Sequence, residues 1–352
     1  MSSRFRNPKF IAVISVLGVL FIVGLAGGAL GAEVDGGGFI GAPLAHIQLP
    51  AETVHAGYAV TNTMVATWLT ILFLGVVSFL GTRRARQIPG RLQNVLEVVL
   101  EFFLGLAESV AGRENARRFF PLVVTIFLFV VTANWMGIVP GFGTIGRYEP
   151  AKEVIYHAEH KAEEEGKDVD LSSIKLQTFQ GDSKLAILPF GSVGDEITAQ
   201  EYEEMEESGE HPRAGLLVPF LRSANTDINT TLAIALVAMF MVHWWALRTL
   251  GFFGHFGKFL DIKGGPIGIF VGVLEAISEI ARVISFTFRL FGNIFAGEVL
   301  LIAMAFLVPL IGLVPFLGLE LFVGLIQAFI FAMLTLVFAA TASMGHGADE
   351  HH

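Results

Sequence analysis

Apolar runs near the length of a membrane-crossing helix recur at Phe10–Gly31, Ala59–Gly81, Phe119–Pro140 and Asp227–Leu247. A helix needs about 20 residues to cross ~30 Å of hydrocarbon, so each run predicts one span. A last apolar block, Gly265–Met344, is far longer and carries Pro309, Gly312 and Pro315 near its middle, where a helix is expected to break. It predicts a helical hairpin whose arms, of about 30–37 residues and ~45–55 Å each, must tilt or bend to fit the bilayer. Between the second and third runs, Leu92, Val95, Leu96, Val99, Phe102, Phe103 and Leu106 alternate with Gln93, Asn94, Glu97, Glu101 and Glu108. That spacing predicts an amphipathic helix over Leu92–Val110 at the membrane surface.

Composition agrees: 53% of the 352 residues are hydrophobic and 16% charged, against roughly 25% charged in an ordinary soluble domain. Cysteine is absent, which excludes disulfides, cysteine-held zinc and thiol catalysis. The net charge of −9 argues against a nucleic-acid partner, and it is unevenly placed. Thr144–Leu217 holds 17 acidic and 7 basic residues, so one insert carries nearly all the excess. Within it Glu163–Glu165 and Glu201–Glu210 read as solvated segments, and Ile174–Phe190 alternates around Gln180–Gly181–Asp182 as a small β-hairpin would. His157 and His160 with Glu159, and the tail residues His346, His351 and His352, read as solvated polar groups rather than metal ligands.

Basic residues favour the cytoplasmic ends of spans. Arg4, Arg6 and Lys9 precede the first span, Arg83, Arg84, Arg86 and Arg91 follow the second, Arg113, Arg117 and Arg118 precede the third, and Arg248, Lys258 and Lys263 follow the fourth. Alternate threading places every cluster on one side, with both termini cytoplasmic and Glu33–Gly57, Gly141–Thr226 and the hairpin tip outside. The chain thus divides into a signal peptide or anchor (1–32), the first core span, amphipathic helix and second core span (33–143), the acidic insert (144–217), the third core span with its loop (218–264), the hairpin (265–344) and a tail (345–352). The expected fold class is an all-α polytopic membrane protein with five core spans.

Ionisable residues inside spans are costly and mark function. On the first hairpin arm Glu275, Ser278, Arg282, Ser285, Arg289 and Asn293 are spaced by 3, 4, 3, 4 and 4 residues, which at about 100° per residue forms one helical stripe. Glu298 points elsewhere, and on the second arm Glu320 and Gln327 share a face that can meet the first. Arginine stays protonated and cannot relay protons. Arg289 therefore reads as a fixed charge that would favour the ionised form of a passing carboxylate and repel a hopping proton, between two polar half-paths.

The segment Ser285-Phe-Thr-Phe-Arg-Leu-Phe-Gly-Asn-Ile-Phe-Ala-Gly-Glu298, followed by Leu325-Ile-Gln-Ala-Phe-Ile-Phe331, resembles the signature of subunit a of F-type ATP synthases. Ile88-Pro-Gly-Arg-Leu-Gln-Asn-Val-Leu-Glu97, Asn134-Trp-Met-Gly-Ile-Val-Pro140 and Ala224-Asn-Thr-Asp-Ile-Asn-Thr-Thr-Leu232 agree in order and spacing. The resemblance runs from about His46 to Met344, outside the acidic insert. It implies a non-catalytic, cofactor-free stator proton channel in the bacterial inner membrane, against a ring of c subunits and beside peripheral-stalk b subunits. Arg289 matches the arginine that separates the family's two half-channels. Asn293, Glu298, Glu320 and Gln327 match the outer half-channel, Asn225 and Asp227 its mouth, and Glu275, Ser278 and Ser285 the cytoplasmic half-channel. Two departures stand out: many bacterial relatives carry His at the position of Glu320, and the insert is foreign to the common core. The alternative, a self-contained proton-coupled transporter or channel, predicts internal repeats that the sequence lacks. An intramembrane hydrolase would need a nucleophile or metal motif absent from the spans.

Overall fold

The computed structural model describes residues 8–27, 51–53, 60–139, 141–166, 169–179, 185–187, 193–257, 265–308 and 310–343. The expectations that rest on Arg4, Arg6, Ala29–Glu33, Gln180–Asp182, Lys258, Lys263, Pro309 and the tail histidines lie outside these. Eight helices account for most of the described chain. They are α1 (Pro8–Gly27), α2 (Asn62–Thr82), α3 (Arg91–Gly137), α4 (Ala151–Glu165), α5 (Ala199–Glu207), α6 (Ile228–Phe256), α7 (Gly265–Leu307) and α8 (Val314–Ser343). Among the described residues four helical segments, Asn62–Thr82, Arg91–Gly137, Ile228–Phe252 and Ile311–Ser343, are long and apolar enough to cross a membrane. The chain forms two compact units. One comprises Met1–Asn62, Gly137–Arg222 and Ala296–Leu321, the other Thr63–Met136, Ser223–Phe295 and Phe322–His352.

The second unit holds the apolar helical core. The expected amphipathic helix and third span are the two limbs of α3, which break at Gly112, where φ is 73°. Only a residue without Cβ adopts that left-handed backbone at little cost, so the surface limb turns into the span there. Phe103, Val123, Val130, Met239, Val242, Phe286, Leu290, Phe331 and Leu336 are buried together. The rings of Phe286 and Phe331 lie 4.7 Å apart and those of Phe119 and Trp245 4.7 Å apart, so aromatic packing joins α7 to α8 and α3 to α6. Trp68, Leu72, Phe73, Phe240, Ile277 and Phe288 remain exposed, as faces meant for lipid or a partner would be.

In the first unit α1 packs against the 3-10 turn Leu310–Leu313, and the insert folds into a sheet. Its strands are β1 (Ile145–Pro150), β2 (Lys175–Phe179), β3 (Leu185–Ile187), β4 (Val193–Thr198) and β5 (Ala214–Pro219). They lie in the order β3-β1-β5-β2-β4, every described pair antiparallel. The hairpin expected over Ile174–Phe190 is therefore corrected: β2 pairs with β4 and β5, and β3 pairs with β1 at the far edge. Leu176, Gln177 and Phe179 are all buried, the mark of a strand flanked on both sides, and alternation over five residues does not reveal which neighbour a strand takes. The acidic segments form α4 and α5; Ala151, Ile155, Ala199 and Tyr202 pack with Leu176 and Leu216 into a small core of their own. A second correction concerns the hairpin: α7 has 43 residues and α8 has 30, joined through that 3-10 turn, so the first arm exceeds the expected length.

Candidate functional site

In the second unit, Phe286 and Leu290 are 2% and 0% exposed and pin one face of α7 to the core. That packing leaves Arg289 half-buried at the border of the face. Its guanidinium lies 5.9 Å from the Phe286 ring centre and donates a long 3.4 Å hydrogen bond to Ser285 Oγ. Among the described residues no carboxylate lies within ion-pair distance of Arg289. One turn on, Asn293 Nδ2 donates to Gln327 Oε1 at 2.6 Å, which joins the two arms as their sequence faces implied.

The same stripe behaves differently towards its start. Arg282 pairs with Glu275 at 3.7 Å and with Glu279, and lies 4.9 Å over the Phe338 ring. His243 of α6 reaches Glu279 at 3.6 Å. The sequence reading placed Arg282 and Arg289 on one stripe, and the structure separates them: among the described residues the first pairs with carboxylates and the second does not. Glu279 and His243 were missed, although a charged residue facing a histidine across two apolar helices was a signal that could have found them. Ser278 is half-buried, without a side-chain bond among the described residues.

Asn225 and Asp227 are buried where α6 begins. Asn225 Nδ2 donates to Asn134 Oδ1 at 2.7 Å, and Asn134 Nδ2 donates to the Gly324 carbonyl at 3.1 Å. Asp227 accepts from Thr63 Oγ1 at 2.9 Å and from the Asn229 backbone at 2.9 Å, so it caps α6 and ties it to α2.

In the first unit, Glu298 is gripped by Arg222, a residue between β5 and α6 that the sequence reading did not single out. Arg222 Nε donates to both Glu298 oxygens at 3.1 and 3.2 Å and Nη2 to Oε2 at 3.0 Å. Glu320, 8% exposed, stands against Gly297, where any side chain would overlap its carboxyl group. Among the described residues Glu320 has no cationic partner. Outside the spans, burial raises the Glu52 carboxyl to about 7; the charges of Arg222 and Arg147 oppose that rise, and those of Glu149 and Glu298 add to it.

Comparison with known proteins gives these groups a context. A family model described as ATP synthase A chain matches residues 64–340. The chain is 30% identical over 305 residues to ATP synthase subunit a of Gloeobacter violaceus, covering 87% of this chain and 90% of the relative. It is 26% identical over 304 residues to ATP synthase subunit a of Moorella thermoacetica, covering 86% and 100%. Against ATP synthase subunit a of Helicobacter pylori the identity is 28% over 287 residues, covering 81% and 89%.

Proposed function

The chain belongs to the ATP synthase A chain family, and from that premise we propose that it is the stator half of a rotary proton path, with Arg289 as the charge that separates two half-channels. As subunit a it works within the ATP synthase complex and in the membrane. The finer reading assigns a ring of c subunits to the exposed side of α7, peripheral-stalk b subunits as further partners, and the bacterial inner membrane with both termini cytoplasmic.

The observation that carries the reading is the unneutralised guanidinium of Arg289 beside an exposed apolar stripe, Ile277, Ile280, Ile284 and Phe288, on the same helix. A half-buried cation without a carboxylate partner among the described residues is expensive unless a partner subunit supplies one. A ring carboxyl arriving opposite Arg289 is favoured as the carboxylate, so it gives up its proton on one side of the arginine and is reloaded on the other. Arginine holds its own protons too tightly to short-circuit the two sides. Glu298, Glu320, Asn293 and Gln327 then serve the outer path, with Asn225 and Asp227 bracing its mouth. Ser285, Ser278 and Glu275 line the inner one.

The test is Arg289→Ala in the complete complex reconstituted into liposomes. Proton-driven ATP synthesis is lost while the subunit inserts and assembles in normal amount; synthesis at the wild-type rate would overturn the assignment.

A further inference from the structure

Between the end of α2 and the start of α3, residues 83–91 hold four exposed arginines, Arg83, Arg84, Arg86 and Arg91. Among the described residues none of the four lies within ion-pair distance of a carboxylate, whereas Arg113 and Arg118, past the far end of the surface limb, pair with Glu108 at 3.7 Å and Glu114 at 3.9 Å. Arginine keeps its charge, so this elbow presents four standing cations. Its shape is fixed from both sides. Gly81 is buried against Leu96, which any side chain at that position would overlap, so the last turn of α2 lies directly on the surface limb. The Arg86 N–H donates to Gln93 Oε1 at 3.1 Å and Gln93 Nε2 donates to the Arg86 carbonyl at 3.0 Å, which folds the connection back onto the helix. The Arg83 guanidinium lies 5.9 Å from the ring centre of exposed Phe79, at the level where an apolar span meets the headgroups.

Beside the arginines the surface limb leaves Val95, Val98 and Phe102 between 54% and 60% exposed. At about 100° per residue these three and Arg91 share one stripe. It lies roughly 100° to one side of Val99, Phe103 and Ala107, which pack into the core, and roughly 100° to the other side of Glu97, Glu101 and Glu108. The limb thus has a core face, an acidic face turned away, and an apolar face that opens beside four cations. We propose that this elbow binds anionic phospholipid: phosphates of the leaflet at which α2 ends take the arginines, and acyl chains cover Val95, Val98 and Phe102. A guanidinium meets phosphate with paired N–H donors. An apolar stripe bordered by cations is the surface of a helix lying in a negatively charged interface. Neutral lipid would cover the stripe and leave the charges unanswered, and free phosphate would answer the charges and leave the stripe in water.

The inference needs only the family's place in the membrane and stands apart from the roles given to Arg289 and the half-channels. The complete complex is reconstituted into liposomes that contain, in equal amounts, phosphatidylglycerol and phosphatidylcholine bearing distinguishable photoreactive acyl chains. Peptide mass spectrometry then locates the adducts on this subunit. The phosphatidylglycerol probe labels the Leu92–Val110 helix several-fold more than the phosphatidylcholine probe. Arg84→Gln with Arg86→Gln reduces that excess towards equality, Arg84→Lys with Arg86→Lys keeps most of it because charge is retained, and Arg113→Gln with Arg118→Gln leaves it unchanged. Equal labelling of wild type by the two probes overturns the site, whether or not any variant assembles. A stretch that neither probe reaches overturns it as well, since a neighbouring subunit would then cover the stripe. An excess that survives the loss of Arg84 and Arg86 charge overturns the assignment of the arginines.

Discussion

Asn293 of α7 and Gln327 of α8 are joined side chain to side chain at 2.6 Å, with Gln327 only 4% exposed. The bond sets the register of the two arms one turn from Arg289, so the helix bearing the fixed charge is held by a polar tie as well as by the Phe286–Phe331 contact.

Removing the acceptor in Gln327→Leu loses the bond from the Asn293 amide, which is itself exposed, at a cost of about 0.5–1.5 kcal/mol. Thermal dissociation of the purified complex should shift down accordingly. Asn293→Leu combined with Gln327→Leu should recover part of that loss without recovering synthesis. Full recovery of both would show that the tie serves stability alone.

Arg289→Lys should also fail in coupled synthesis despite keeping a cation. An ammonium is a point donor that can lose its proton when desolvated, unlike a guanidinium. ATP synthesis in vesicles, scaled to the amount of assembled subunit, measures this. A rate near wild type would mean that charge alone suffices.

Glu298→Gln and Glu320→Gln should each slow proton uptake, and the double change should be much worse than either, as for two carboxyl groups sharing one path. Gly297→Ala should resemble Glu320→Gln, because its methyl would occupy the place of the Glu320 carboxyl group. Proton flux into vesicles reads all four variants. Wild-type flux in the double mutant would place the outer path elsewhere.

The Glu52 carboxyl lies at about 7 in the folded chain against 4.5 when free. The folded form therefore binds the proton more tightly, and its stabilising effect is complete below 4.5 and lost as pH rises through 7. The loss is on the order of 3 kcal/mol. Glu52→Gln stays neutral, so its thermal midpoint should exceed that of wild type near pH 8 and match it near pH 5. Equal midpoints at both would show that Glu52 is not held protonated by burial.

Excising Tyr148–Arg213 and bridging with a short Gly/Ser linker keeps Arg147 and Val218, which are ladder partners, so the stubs of β1 and β5 can still pair. Coupled synthesis should remain largely intact at physiological salt, where a Debye length of ~8 Å screens most of the insert's field. Any deficit should grow at low salt. A complete, salt-independent loss in assembled complexes would mean that the insert builds part of the outer path.

The pattern of residues by itself determined four of the spans, the hairpin, the surface helix ahead of the third span, and the polar stripe through Arg289. Each depends on lengths and periods within one segment, which solvent polarity dictates locally: apolar runs must reach across hydrocarbon, and polar groups inside must share a face. It also supplied the facing of Gln327 towards the first arm, because seven residues return a helix to the same side. Tertiary structure alone decided that Arg222, 76 residues before Glu298, pairs with it, that Glu279 meets His243, and that Asn225 meets Asn134. Only the sheet's assembled order separated β2 from β3. Such pairings depend on which distant segments are packed side by side. The energy that selects them is the cost of leaving a buried charge or strand edge unsatisfied, and that cost has no period along the chain.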